Sequence, residues 1–297
     1  MNRLAIIYVL YNTDIELFNK SIKSLEETIP DNLNVTFFIY DNSFENSKQN
    51  IIINEKYQYF HNGENIGLAK AQNKIIKENL TFFDYFLTSD QDSIYSSNYL
   101  EIGIDFMENN NHCGCVVPIW RNILSKNKKF ESQIILVNDK LKLINPVDVP
   151  EDYFYVTHAI CSGSIIRTNM FNKIGLFNED FFIDWIDNEW MWRGYKSELN
   201  VICNKKLRIN HQWGDNPLKI MNIEIPNKSD IRVYFTFRNG LALIFHEELE
   251  SYFKKYLIKQ LSKYLFYLFI SFSFNKYKNM FKAIKDFKNI DLINVKR

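Results

Sequence analysis

The first half of the chain alternates short apolar runs with helical segments, and this alternation constrains the fold more than any other feature. Apolar runs of strand length occupy residues 4–10, 35–40, 57–60 and 82–87. Between them, residues 15–29 and 68–79 carry the apolar spacing of helices. Strands that alternate with helices pair into a mostly parallel sheet that the helices cover. The sequence therefore predicts an α/β fold.

The composition is that of a packed chain of enzyme size. Its 297 residues are 46% hydrophobic, enough for one large α/β domain with an appendage. Four cysteines show no C-x-x-C spacing, which predicts free buried thiols rather than zinc ligands or disulfides. The apolar run from Leu4 to Tyr11 is too short for a signal peptide core followed by a cleavage site, so we expect a cytoplasmic protein.

Charge divides the chain into two unequal parts. Residues 252–297 contain eleven Lys or Arg and two Asp or Glu, a net charge of +9, which leaves −8 for the preceding 251 residues. Twelve Phe or Tyr residues lie among these lysines. Basic and aromatic residues at helical spacing are typical of helices on an anionic membrane surface. The alternative is a helical pair that packs its aromatic face on the core and leaves its lysines in solvent.

This C-terminal region is too short in apolar sequence to cross a bilayer. Its uncharged run from Tyr264 to Phe274 has eleven residues, whereas a spanning helix needs about 20. Contact with a membrane surface is therefore the furthest membrane role that the sequence predicts.

Two carboxylates, Asp90 and Asp92, follow the apolar run 82–87 with Gln91 between them. A strand that ends in Asp-x-Asp places acidic oxygens at the carboxyl edge of a sheet. Mg²⁺ or Mn²⁺ and the phosphates they bridge are bound at such edges. The alternative is that these residues cap the next helix. For so short a motif alone, capping is the commoner role.

Other polar residues follow the remaining strands. Asp41 follows the second strand, where its carboxylate could accept a hydrogen bond from N3–H of uracil or thymine, or could instead form a local Asx turn. Asn65 and Gly67 permit a tight turn before a helix, whose N-terminal amides favour phosphate. The strand edge is therefore predicted to bind a nucleotide.

Taken in order, these motifs resemble glycosyltransferase family 2, the inverting GT-A enzymes. The resemblance is carried first by Tyr11-Asn12, Asp41-Asn42-Ser43, the stretch from Asn65 to Asn73, and Asp90-Gln91-Asp92. It continues through Ser162 to Arg167, Asp184 to Glu189 with Arg193, His211, Gly214-Asp215, and Tyr234 to Asn239. It covers about 240 residues. Within the family the motifs look most like bacterial rhamnosyltransferases of surface polysaccharide assembly, with galactofuranosyltransferases as near relatives.

The resemblance implies a GT-A, Rossmann-like α/β fold with a mostly parallel central sheet flanked by helices. Residues 1–240 would form the catalytic domain and residues 241–297 a basic, aromatic-rich helical appendage. The implied activity is metal-dependent transfer, with inversion, of L-rhamnose from dTDP-rhamnose to a lipid-linked glycan at the inner membrane face. The implied cofactor is Mn²⁺ or Mg²⁺, and no nucleic acid partner is expected. Alternatives are a UDP-hexose or UDP-galactofuranose transferase, or a non-catalytic sugar-nucleotide-binding scaffold.

The resemblance also assigns roles to residues. Asp187 would be the catalytic base, six residues before Arg193, although Ile186 stands where the family pattern has an acid. The metal ligands would be Asp92 first, then Asp90 and His211. Donor contacts would come from Tyr11, Asn12, Asp41, Asn65, Gly67, Lys70, Asn73, Asp90, Gln91 and Arg238. Acceptor contacts would come from Asp184, Trp185 and Glu189.

Several of these residues could instead have purely structural roles. Glu189 could instead pair with Arg193 at i,i+4 helical spacing, and the tryptophans of residues 185–192 could belong to the core. A lone histidine such as His211 is more often structural than a ligand. Arg238 could form a salt bridge to the acidic body.

Overall fold

A computed structural model describes residues 1–51, 54–123, 129–195, 197, 200–211, 215–220, 223–271 and 273–292, with the backbone alone for 215–227. The strands are β1 (Asn2–Leu10), β2 (Leu33–Asp41), β3 (Tyr57–His61), β4 (Tyr85–Ser89), β5 (Ile94–Tyr95), β6 (Cys113–Asn122), β7 (Gln133–Val137), β8 (Lys140–Ile144), β9 (Tyr153–Tyr155), β10 (Ser164–Arg167), β11 (Asn200–His211), β12 (Asp215–Ile220) and β13 (Ile223–Asn227). The helices are α1 (Ile15–Glu26), α2 (Leu68–Asn79), α3 (Tyr99–Asn109), α4 (Thr168–Ile174), α5 (Ile186–Tyr195), α6 (Asp230–Phe245), α7 (Ser251–Ser271) and α8 (Phe274–Asp286).

Most strands join one mixed sheet in the order β3-β2-β1-β4-β10-β6-β11-β5, with β9 beside β11. β1 to β4 run parallel, as do β6 and β11, whereas β10 is antiparallel between β4 and β6. The carboxyl ends of β1, β2 and β4 therefore meet at one edge, as the sequence predicted. The antiparallel β10 was not predicted, because a four-residue strand carries no periodic signal of its own.

Two cores cover the two faces of this sheet. Side chains of β1 alternate between them: Ile6 and Tyr8 lie in one core, and Ala5 and Ile7 in the other. α1 and α3 contribute to the first core, and α2, α4 and α5 to the second. The alternation follows from the period of two along a strand, and burial on both faces explains the continuous apolar runs of the sequence.

Two element boundaries show how far local sequence specifies the fold. α2 has the predicted bounds, because Gly67 adopts φ +89° immediately before it, a backbone that residues with Cβ rarely adopt. The predicted strand 82–87 instead begins at Tyr85. The carboxylate of Asp84 accepts from the amide of Arg3 at 2.9 Å, and residues 80–82 form a turn before the strand.

The three C-terminal helices share a third core. It contains Val233 and Phe237 of α6, Leu261 and Leu268 of α7, and Met280 of α8 among others. Residue 240 lies inside α6, and the proposed division of the chain at that point stays a prediction. Among the described residues, no helix is long and apolar enough to span a bilayer.

The four cysteines are free and buried, as predicted.

Candidate active site

Three candidate metal ligands meet at the carboxyl edge of the sheet. Asp90 and Asp92 follow β4, and His211 ends β11. His211 Nδ1 lies 3.1 Å from Asp92 Oδ1, and His211 Nε2 lies 3.6 Å from Asp90 Oδ2. One ligand atom from each residue lies within 4.8 Å of the other two. His211, 119 positions after Asp92, thus joins the two carboxylates in the arrangement that was predicted for a cation.

Two serines that the sequence did not single out for the site fix these ligands. The Oγ of Ser162 accepts from the amide of Asp90 at 3.0 Å and is 2.8 Å from the Oγ of Ser93. Ser93 Oγ is also 3.2 Å from Nδ1 of His211. Ser93 directly follows the Asp-x-Asp motif, and Ser162 lies in a family motif, but nothing in the sequence shows that they touch.

The charges at this site favour a cation. Burial alone would lower the pKa of His211, but its hydrogen bond to Asp92 and the charge of Asp90 outweigh burial and raise that pKa. Two carboxylates and an imidazole, when the ring is neutral, form an acceptable ligand set for Mn²⁺ or Mg²⁺. A bound ion would supply the positive charge that a protonated ring otherwise supplies.

Asp187 lies near this cluster, in the first turn of α5. Its Oδ2 accepts from the amide of Cys161 at 3.1 Å. Burial raises the pKa of Asp187 to about 6, and the charge of Asp90 contributes in the same direction against the opposing hydrogen bond from Cys161. A carboxylate with this pKa can both exist ionised near neutral pH and accept a proton, as a general base must.

Two predicted acceptor ligands have structural roles instead. The carboxylate of Asp184 accepts from Arg232 at 2.6 Å and Thr236 at 2.8 Å, and pairs with Lys228 at 3.2 Å. Burial opposes its ionisation, but these cations lower the pKa of Asp184 to about 2. Glu189 is buried and paired with Arg193, the alternative left open from the sequence. Neither carboxylate is therefore free to bind an acceptor in this structure.

The tryptophans of this segment divide between core and edge. Trp190 and Trp192 are buried in the core, as the bland alternative proposed. Trp185 is partly buried, and its Nε1 donates to the carbonyl of Thr236 at 2.9 Å. Acceptor stacking on Trp185 stays a prediction.

The contacts of Arg238 differ from the donor contact predicted for it. It donates to the carbonyl of Asp180 and lies over the ring of Phe235, 4.8 Å from its centroid. Among the described residues it forms neither the salt bridge that the sequence left open nor a contact with the candidate metal ligands. Arg232, six residues earlier on α6, pairs with Asp184 and lies within electrostatic range of Asp90, and the sequence analysis did not single it out.

Asp41 uses its oxygens within the protein. It has no exposed surface, and it accepts from the amides of Ser43 at 2.9 Å and Ser47 at 3.2 Å and from the hydroxyl of Tyr59. Burial alone would raise the pKa of Asp41, but these hydrogen bonds lower it. The Asx turn is therefore present, and base recognition by Asp41 stays a prediction that requires residues 43–47 to move.

The turn before α2 has the predicted form, and the side chains of Asn42, Asn65 and Asn73 bind backbone groups in and near it. Asn65 Oδ1 accepts from the amide of Gly67 at 3.0 Å, and Asn42 also binds this turn. Asn73 is buried, and its amide group both donates to and accepts from the backbone of Phe177. Direct donor contact by Asn73 is therefore not supported.

Lys70, on the same helix, is exposed, and its donor contact stays a prediction.

The loop after β1 is tied to the Asp-x-Asp motif. Gln91 Oε1 accepts from the amide of Tyr11 at 3.0 Å and from the hydroxyl of Thr13 at 2.6 Å. The amide of Asn12 donates to Ser43 Oγ at 2.9 Å. The ring of Tyr11 remains exposed at the edge. Gln91 and Asn12 thus connect the ends of β1, β2 and β4. Gly214, from the predicted motifs, lies outside the described residues.

Comparison with known proteins identifies this arrangement. The model of the family described as glycosyl transferase family 2 matches residues 5–175. The dTDP-rhamnosyl transferase RfbF of Shigella flexneri is 27% identical over 248 residues, which cover 80% of this chain and 78% of that protein. These findings confirm the resemblance seen in the motifs.

Solved structures confirm the GT-A-like fold. GalNAc-T7, crystallised with UDP, GalNAc and Mn²⁺, matches with a TM-score of 0.58 and 12% identity over 90% of this chain. This chain spans 58% of the length of that structure. Residues 1–349 of S. aureus TarS, in complex with UDP-GlcNAc, match with a TM-score of 0.57 and 12% identity over 97% of this chain and 80% of theirs.

Proposed function

The chain belongs to glycosyl transferase family 2, and we propose that it transfers a sugar from a nucleoside diphosphate to an acceptor hydroxyl with inversion at the anomeric carbon. The observation that carries this proposal is the convergence of Asp90, Asp92 and His211 beside Asp187. The first three suit a cation that binds a diphosphate, and Asp187 suits the base. A non-catalytic scaffold has no need of the base.

In the proposed reaction, Asp187 removes the acceptor's proton as the hydroxyl oxygen attacks the anomeric carbon. The bond from that carbon to the diphosphate oxygen breaks on the opposite side, and the electron pair leaves with the nucleoside diphosphate. Asp187 has the required basicity because it is partly buried and close to the charge of Asp90. The amide of Cys161 holds one carboxylate oxygen, which orients the other.

We propose Asp92, Asp90 and His211 as the residues that would hold Mn²⁺ or Mg²⁺. When bound, the ion offsets the negative charge that develops on the leaving diphosphate. Ser162 and Ser93 keep the ligands in place by hydrogen bonds to Asp90 and His211.

The proposed donor is dTDP-L-rhamnose. Its support is the similarity to RfbF, described as a dTDP-rhamnosyl transferase, over most of both chains. A UDP-hexose is the second candidate, since the TarS match is a complex with UDP-GlcNAc. Among the proposed donor contacts, Tyr11, Asn12 and Lys70 are exposed.

Donor identity is tested by incubating the purified chain and Mn²⁺ with dTDP-rhamnose, UDP-glucose or UDP-galactofuranose and a panel of lipid-linked glycans. Mass spectrometry of the products reports transfer. The proposal predicts a mass gain of one deoxyhexose from dTDP-rhamnose. A gain of one hexose from a UDP donor would instead establish the second candidate.

We further propose that the acceptor is lipid-linked and that α7 and α8 bind the surface of the membrane holding it. Each helix packs one side on α6 but leaves apolar residues exposed on another: Ile258, Leu265, Phe269, Phe274 and Phe281. We call these five residues the apolar stripe. Their spacing of four or seven within each helix places them on one face. Phe274 is 81% exposed and Phe269 63%.

Charge favours an anionic membrane over a second copy of the chain as the occupant of this surface. Exposed lysines flank the apolar stripe on both helices: Lys255, Lys259, Lys263, Lys278, Lys282 and Lys285. Two copies packed face to face would bring these lysines together, whereas anionic lipid attracts them. α7 also reaches the site, because Lys228, a partner of Asp184, lies 4.5 Å from the ring centroid of Tyr264.

Sedimentation with vesicles tests this surface. The chain is expected to bind vesicles of phosphatidylcholine with phosphatidylglycerol, to release in high salt, and to ignore phosphatidylcholine alone, because both lysines and apolar stripe contribute. Phe269→Ser with Phe281→Ser should abolish binding, while the exposed Phe82→Ser serves as a matched control. Equal binding of the double variant, or a concentration-dependent dimer that this variant dissociates, would contradict the membrane assignment.

A further inference from the structure

The backbone just before α5 is unusual. Asp184 and Trp185 are consecutive non-glycine residues with φ of +65° and +68°. Side chains with a Cβ rarely adopt this left-handed region, and they keep it only where the surrounding structure holds them there. The segment therefore depends on contacts from elsewhere in the chain.

Those contacts come from one face of α6 and the residues just before it. Asn239, fully buried, donates to the carbonyls of both Ile183 and Asp184 at 3.0 Å. Thr236 supplies its carbonyl to Trp185 Nε1, and its hydroxyl donates to Asp184 Oδ2 at 2.8 Å.

The other two contacts carry charge. Arg232 and Lys228 complete the set on the carboxylate of Asp184. We call Lys228, Arg232, Thr236 and Asn239 the α6 clamp. Arg232, Thr236 and Asn239 follow one another at steps of four and three residues, which places them along one face of α6, and Lys228 lies just before the helix.

The clamped segment sets where α5 begins. The carbonyl of Trp185 accepts from the amide of Glu189 at 2.9 Å, which is the first helical bond of α5. Asp187 lies within this turn, two residues after Trp185, and its carboxylate reaches the amide of Cys161. A shift of the 183–185 backbone would therefore move Asp187.

We propose that the α6 clamp is a positioning device that holds the catalytic base at its working location. The clamp acts through Asp184, whose oxygens are occupied by Arg232, Lys228 and Thr236 and so do not need a substrate to satisfy them. The inference rests on the proposed function, since it takes Asp187 to be the base. It adds four residues to that reaction, none of which has to touch the donor or the acceptor.

The pair Thr236→Val and Thr236→Ser tests the clamp. Valine keeps the size of threonine but removes the hydroxyl, whereas serine keeps the hydroxyl. We expect Thr236→Val to lower kcat by about tenfold to a hundredfold, since small displacements of a catalytic group are costly. The KM for the donor and the Kd for its nucleoside diphosphate should stay unchanged. Thr236→Ser should retain most of the wild-type kcat.

Thr28→Val is the matched control. Thr28 is a buried threonine whose hydroxyl donates to the carbonyl of Leu25 at 2.8 Å, at the end of α1 and away from the site. Its kcat should equal that of wild type even if its melting temperature falls. If Thr236→Val keeps the wild-type kcat, or if the valine and serine variants lose kcat equally, the positioning role is wrong.

Hydrogen exchange separates this inference from the proposed function. In Thr236→Val, the amides of residues 184–189 should exchange faster than in wild type, whether or not any donor is turned over. Faster exchange with no transfer by the wild-type chain would overturn the proposed function and leave the clamp intact. Unchanged exchange in an active enzyme would overturn the clamp alone.

Discussion

Asp187 has a pKa of about 6 and lies close to the proposed metal ligand Asp90, so its substitution tests the proposed base directly. Asp187→Asn keeps the size of the side chain but cannot accept a proton. We expect kcat to fall by about 10²–10⁴-fold, the usual contribution of a general base, with nucleoside diphosphate binding retained. Steady-state kinetics and calorimetry measure the two effects, and the exposed Asp105→Asn is the matched control. Near-normal turnover of Asp187→Asn would exclude it as the base.

The pH dependence of the wild-type enzyme follows from the same residue. Because the pKa of Asp187 is about 6, kcat/KM should fall about tenfold per pH unit below pH 6 as the base becomes protonated. A profile recorded from pH 4.5 to 8.5 at saturating metal measures this limb. A limb near pH 4, the ordinary range of an exposed carboxylate, would show that burial does not tune this group.

The same pKa has the opposite consequence for stability. A carboxyl whose pKa is raised on folding favours the folded state while it is protonated; this contribution is fully present below about pH 3.8 and is lost as pH rises from there through about 6. The ionised Asp187 therefore lowers stability at pH 8, by at most about 3 kcal/mol. Asp187→Asn should melt at a higher temperature than wild type at pH 8, and the difference should shrink as pH falls from about 6 towards 3.8, the ordinary pKa of the group.

At the residue scale, the sequence predicted several groups that the structure brings together, although their roles stay predictions. Asp90 and Asp92 were predicted from the Asp-x-Asp motif, and Asp187 and His211 through the family resemblance. The sequence did not reveal the structural role of Asn73, whose side chain binds the backbone of Phe177, 104 positions later. Partners so distant in sequence leave no local pattern. A polar side chain that binds the backbone also cannot be told from one that binds a ligand by its residue type.

At the scale of elements, α5 is fixed at its far end by a buried ion pair. Arg193 binds the carboxylate of Glu189 and the carbonyls of Ile174 and Leu176. Glu189→Gln removes the charge that balances Arg193 and should lower the free energy of unfolding by about 3–5 kcal/mol. Urea denaturation measures this loss. The same change at Glu16, which pairs with Lys20 at the same i,i+4 spacing on the surface, should have little effect.

A small effect of Glu189→Gln would mean that the backbone carbonyls alone satisfy Arg193. The pair would then have no share in holding α5 in place.

Element prediction succeeded where local chemistry determines structure. The spacing of apolar residues and the glycine before α2 defined that helix, and the parallel strands β1 to β4 followed from their alternation with helices. The strands β6, β10 and β11 required tertiary information. Their order places residues 113–122 between strands that follow much later in the chain. Only the packing of the completed sheet determines this order.

At the scale of the whole molecule, opposite charges lie in different parts of the chain. The body that holds the three acidic site residues carries −8, and the C-terminal 46 residues carry +9. The sequence left open whether the basic region packs on the body or faces a membrane. The structure shows helices that pack one side on α6 and expose another, so packing on the body accounts for one face, and membrane contact by the other stays a proposal.

Calorimetric titration of the full chain with dTDP and UDP, each with Mn²⁺ and with EDTA, tests the central claim most directly. The account predicts binding that requires Mn²⁺, that favours dTDP, and that is lost in Asp92→Asn but kept in the distant Asp139→Asn. Two results would contradict the claim that Asp90, Asp92 and His211 hold the ion that binds the donor. One is binding of both nucleotides in EDTA as tightly as in Mn²⁺, and the other is full binding by Asp92→Asn.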